Sequence, residues 1–188
     1  SIGGYHAAKL RRYQEMIDAY IANEKNKVWN SVAEAGGDMT KVKGDSLFPV
    51  LNMLNTKYFI MPLQAGQTVP VQNLYAYGNA WFVDKVNYVN NANEEIAGVG
   101  KYNLRHEAVA DAKFKEQLGQ SVPQDDTSIV RLTQYKPNNL VYEVNSNKGG
   151  VVVFSEIYYP GRTATVAGQT ADLGRVYSTL RPLRGTPG

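Results

Sequence analysis

The side chains best able to do chemistry are few and scattered. His6 and His106 are the two histidines, and a metal site built on both would need ligands that spacing does not supply. Asp125–Asp126 is an adjacent acidic pair beside Pro123. A calcium loop sets its acids at alternating positions around a glycine turn, so this pair reads as a solvated hinge, and Glu94–Glu95 reads as solvated too. Gly98–Val99–Gly100 lacks the third glycine and the preceding buried strand of a phosphate-cradling loop. Ser155 sits in Phe154–Ser155–Glu156 without the flanking glycines of a nucleophile elbow. With no Cys, thiol catalysis, Cys-zinc sites and disulfides are excluded.

One carboxylate stands out. Glu156 closes the most apolar strand of the chain and runs into Ile157–Tyr158–Tyr159–Pro160–Gly161, followed by Arg162. A strand-end carboxylate beside two tyrosines can hold a sugar hydroxyl over an aromatic platform. It can equally accept hydrogen bonds from the Pro-Gly turn and pin the strand end. Glycosidase chemistry needs a second carboxylate across the scissile bond, and the sequence nominates none. The candidate ligand-binding residues are therefore Glu156, Tyr158, Tyr159 and Arg162, with no catalytic residue, no metal ligand and no cofactor.

The elements that would position these residues follow from periodicity. Leu10, Tyr13, Ile17, Tyr20 and Ile21 recur at three- and four-residue spacing and predict a helix over 5–25. Asp45 or Ser46 can cap a short helix over 47–55, with Pro49 tolerated in its first turn. Lys57–Met61 reads as a short buried strand stopped by Pro62, and 62–79 as a loop. Ala80–Val83 and Val86–Val89 read as one longer strand or two adjacent ones. A second amphipathic helix is expected near Glu107–Leu118 with Gly119 at its end, and a hinge at Ser121–Asp126. From Thr127 the period changes to two, with Leu140, Tyr142 and Val144 on one face. Asn147–Gly150 can turn a hairpin into Val151–Phe154, an apolar run suited to a central strand. Phe59, Trp81, Phe82, Leu140, Tyr142, Val152 and Phe154 form the expected core. The fold class is α+β: a mixed helix/strand lobe over 1–122 and an antiparallel β-sandwich-like lobe over 123–188, expected to share an interface or to form one structural unit.

Composition sets the remaining bounds. The chain has 188 residues, 43% hydrophobic and 20% charged, an ordinary globular balance. Its net charge of +3 is no nucleic-acid signature. The basic excess lies in Arg162, Arg175, Arg181 and Arg184, which read as a solvated face. No apolar run reaches the ~18–20 residues of a membrane helix, and Ser1–Gly4 leads straight into a polar amphipathic segment rather than a signal peptide. The chain reads as a soluble piece of something larger.

Several segments in order carry a resemblance. Gly4-Tyr-His-Ala-Ala-Lys-Leu-Arg-Arg-Tyr-Gln14 opens it, and Val50-Leu-Asn-Met-Leu-Asn-Thr-Lys-Tyr-Phe-Ile60 follows. Gly78-Asn-Ala-Trp-Phe-Val83, Tyr135-Lys-Pro-Asn138 and Phe154-Ser-Glu-Ile-Tyr-Tyr-Pro-Gly161 complete it. Together they resemble the extracytoplasmic part of bacterial YfhO-type membrane proteins, polytopic relatives of the GT-C lipid-linked-sugar glycosyltransferases. This chain departs from the family pattern at Arg162, where Trp follows Tyr-Pro-Gly, and at Ala167–Gly168, where Asp usually precedes the Gly.

The resemblance implies a soluble cell-envelope domain on the outer face of the cytoplasmic membrane or in the periplasm. Membrane spans of the same polypeptide would tether it, and the glycosyl-transfer chemistry would lie elsewhere in that polypeptide. Its partners would be the membrane-spanning remainder and a lipid-linked sugar or cell-envelope glycan, with no nucleic acid. The alternative is a free-standing glycan-binding or adhesion β-sandwich module of a secreted protein. A soluble hydrolase is the least supported class, because the catalytic constellations are missing.

Overall fold

The computed structural model describes residues 11–63, 66–137, 139–158, 163–171 and 173–185. Among the expectations above, His6, Tyr159 and Arg162 lie outside the described residues. The chain divides into two compact units, one up to Gly78 and one from Asn79. The boundary expected at 122/123 thus falls inside the second unit, because the strand over 80–83 joins a sheet with strands far beyond residue 123.

Among the described residues of the first unit a long helical stretch comes first: α1 (Arg11–Met16), a π-helical turn (Ile17–Ile21) and α2 (Ala22–Glu34), the part of the expected helix over 5–10 lying outside the described residues. It runs well past the expected end at residue 25, because Ile21, Val28 and Val32 continue a buried stripe through a polar-looking sequence. The π-turn is why Met16 and Ile21, five positions apart, share that stripe. Gly36 and Gly37 end the helix with φ of 62° and 85°, their N–H groups returning to the Ala33 and Val32 carbonyls.

Two short helices follow in place of the single one expected, α3 (Gly44–Leu47) and α4 (Pro49–Met53). Neither has a side-chain cap of its own. Glu24 of α2 does that work for α4, accepting from the backbone N–H groups of Val50 at 3.0 Å and Leu51 at 2.9 Å. The fully buried Asn52 then donates to the Gly44 carbonyl and accepts from Asn73. Strands β1 (Tyr58–Pro62) and β2 (Thr68–Gln72) pair as an antiparallel hairpin. The segment expected as loop therefore contains a strand, and β1 is buried on one side only, through Phe59 and Met61.

The second unit is built on a three-stranded antiparallel sheet ordered β11–β8–β3: β3 is Ala80–Val83, β8 Gly150–Ile157 and β11 Leu180–Gly185. As expected, Val151–Phe154 forms a central strand, buried throughout. The turn over 147–150 does not make it a partner of the preceding strand. That strand, β7 (Asn139–Asn145), pairs instead with β6 (Ile129–Lys136). Tyr142 of β7 meets Phe154 of β8 edge-on at 4.7 Å, so the two antiparallel sheets touch through aromatic rings. Tyr142, Leu140 and Phe82 are half-buried rather than core, whereas Phe59, Trp81, Val152 and Phe154 are buried.

Strand β4 (Lys85–Val89), helix α5 (Ala92–Val99) and strand β5 (Glu107–Asp111) form a parallel β-α-β unit. The helix expected from Glu107 is thus a strand up to Asp111, buried through Ala108, Val109 and Ala110. Helix appears only afterwards, as a 3-10 turn (Ala112–Phe114) and α6 (Lys115–Leu118), which Gly119 ends at φ 61°. Ser121–Asp126 is no free hinge. The Ser121 hydroxyl donates to the Val83 carbonyl at 2.5 Å and accepts from the Val151 N–H at 3.0 Å, stitching β3 to β8. A small hairpin, β9 (Ala164–Val166) and β10 (Gln169–Ala171), turns through Ala167 and Gly168. Helical and antiparallel β parts thus coexist in an α+β fold.

Candidate functional site

The end of β8 carries the carboxylate singled out by sequence. Side chains alternate across a strand, so Val152, Phe154 and Glu156 share one face. Arg181 lies opposite Phe154 on β11, just after a register shift between Leu180 and Arg181. From there its Nη2 donates to Glu156 Oε2 at 3.0 Å. Arg181 is 8% exposed, while the Glu156 side chain keeps 34% of its surface open. The Tyr142 phenol is pushed up to about 12, first by burial and then by the Glu156 charge, with Arg181 acting the other way. The structure therefore gathers Glu156, Arg181 and Tyr142.

Tyr158, the other described candidate, is half-buried, and its backbone N–H donates to the Thr179 carbonyl at 2.7 Å. Arg181 was missed as a partner of Glu156. The sequence carries no clear signal for it, because a cation alternating with Leu180 and Pro182 on a strand reads as a solvent-facing residue. Chemically, the arrangement leaves Glu156 able to accept a hydroxyl hydrogen bond through oxygen lone pairs that Arg181 does not fill.

One further carboxylate corrects a solvated reading, while Glu94 stays exposed as expected. Glu95 is fully buried, accepting from Arg175 Nη2 at 3.2 Å and from the Ser178 N–H at 3.0 Å. Its neighbour Glu94 closes a capping box at the start of α5 with Asn91 and the Asn90 N–H. Arg175 and Arg181 are each 8% exposed, so these two do not belong to a solvated face. His106 begins no helix; its Nδ1 lies 2.7 Å from Asp84 Oδ2 on an exposed turn. Asp125 accepts from Thr127 and Ser128 in a tight local turn, and these bonds, led by the Thr127 hydroxyl, hold its carboxyl below the usual range. Among the described residues no three His, Asp or Glu side chains are grouped to hold a metal ion.

Comparison with protein-family models, curated proteins and solved structures finds no match. Among the described residues no helix is long and apolar enough to cross a membrane.

Proposed function

We propose that this chain is a non-catalytic extracytoplasmic domain of a polytopic membrane protein of the YfhO type, organising an acceptor or lipid-linked sugar beside the membrane. The observation that carries this reading is the ordered set of resembling segments. Two of them, distant in sequence, are neighbouring strands: Ala80 pairs with Phe154, and the Ser155 N–H donates to the Asn79 carbonyl at 2.9 Å.

The non-catalytic part is supported by how the buried carboxylates are used. Glu24 caps a helix, Glu95 binds Arg175, and the partly open Glu156 binds Arg181. Glu24 and Glu95 have both carboxylate oxygens engaged in holding the fold, and Glu156 has one held by Arg181, whereas a transferase or hydrolase needs a carboxylate poised at a reacting atom.

Mapping the membrane topology of the parent polypeptide with reporter fusions tests the reading. Several spans flanking this chain are expected; a parent with a cleavable signal peptide and no spans would replace it with the secreted glycan-binding module. Turnover of lipid-linked or nucleotide sugars by the pure chain, lost in Glu156→Gln, would overturn its non-catalytic part.

A further inference from the structure

We draw no further inference here: the strongest candidate, the open apolar groove of about 750 Å³ that Met61, Val69 and Val71 of the β1–β2 hairpin line with the end of α2, is an unpartnered apolar face, and nothing in the structure shows what covers it.

Discussion

Glu95 and Arg175 meet as a buried ion pair across 80 positions of sequence, at 3.2 Å, with Glu95 wholly enclosed and Arg175 8% exposed. The second Glu95 oxygen accepts from the Ser178 N–H at 3.0 Å. That bond holds a buried turn in which Tyr177 and Ser178 take φ of 50° and 62°, left-handed values that side chains disfavour. The Tyr177 hydroxyl donates towards the Leu104 and Glu107 carbonyls, both at 2.9 Å. One carboxylate on α5 therefore secures both a buried cation and a strained turn leading into β11.

Removing that carboxylate should be costly. Glu95→Ala leaves the Arg175 guanidinium buried without its counter-charge and should destabilise the chain by ~3–5 kcal/mol in urea unfolding. The paired replacement Glu95→Leu with Arg175→Met should cost less than Glu95→Ala alone, because no charge is then stranded. A single-variant loss under about 1 kcal/mol would show the pair to be solvated.

Glu24 makes stability depend on pH. Burial pushes its carboxyl from the ordinary 4.5 up to about 7, despite the opposing Val50 and Leu51 N–H groups and Lys27. A raised carboxyl means that the folded chain holds a proton the unfolded chain releases. Its stabilising contribution is full below about pH 4.5, is lost as pH rises through about 7, and amounts to about 3 kcal/mol. Urea unfolding at pH 5 and pH 8 should show wild type less stable at the higher pH, and Glu24→Gln with most of that difference gone. Wild-type stability that rises between the two would contradict the assignment.

What the sequence reveals tracks how local the determining physics is. Val151–Phe154 is readable as a central strand because four consecutive apolar residues need cover on both faces, and Gly119 is readable as a terminator because glycine takes its positive φ freely. Glu107–Asp111 misleads because Ala-Val-Ala carries no period, and a parallel strand buried on both faces looks like part of a helix. The partners of β7 and β8 are not local, so a turn between them looks like a hairpin when each strand has paired elsewhere. The candidate site divides in the same way. Glu156 is visible as a charge ending an apolar run, but Arg181 lies 25 positions on, and the pairing of β11 with β8 that brings the two together is not local information. Glu24, Glu95 and Arg175 look like any surface charge, because the partners that justify their burial lie 26 to 83 positions away.

Gly44 tests the packing around α3. A Cβ there would stand 2.2 Å from a Tyr75 ring carbon and 2.8 Å from the Phe48 ring. The Tyr75 hydroxyl donates to the Val42 carbonyl at 2.5 Å, and its N–H donates to Asn73 at 3.0 Å, so the ring is tethered at both ends. Gly44→Ala should cost ~1–3 kcal/mol as overpacking, with a lowered thermal midpoint. In a Tyr75→Leu background the same substitution should cost clearly less, and an equal cost would place the strain in the backbone instead.

Glu156→Gln separates a carboxylate kept for the fold from one kept for a ligand. The amide keeps the shape and one acceptor but removes the charge facing Arg181, whose side chain is 10% exposed against 34% for Glu156. Partial exposure reduces the effect, so the expected loss is ~1–2 kcal/mol, between the surface and buried extremes. For a chain of this size that lowers the thermal midpoint by roughly 2–8 °C. The Tyr142 phenol, raised in part by the Glu156 charge, should titrate lower in the variant, which NMR of the ring can follow. A lower midpoint with no change on a glycan array assigns Glu156 to the strand end. An unchanged midpoint with array binding present in wild type and absent in the variant would assign it to a saccharide, and the secreted glycan-binding reading would then displace the membrane one.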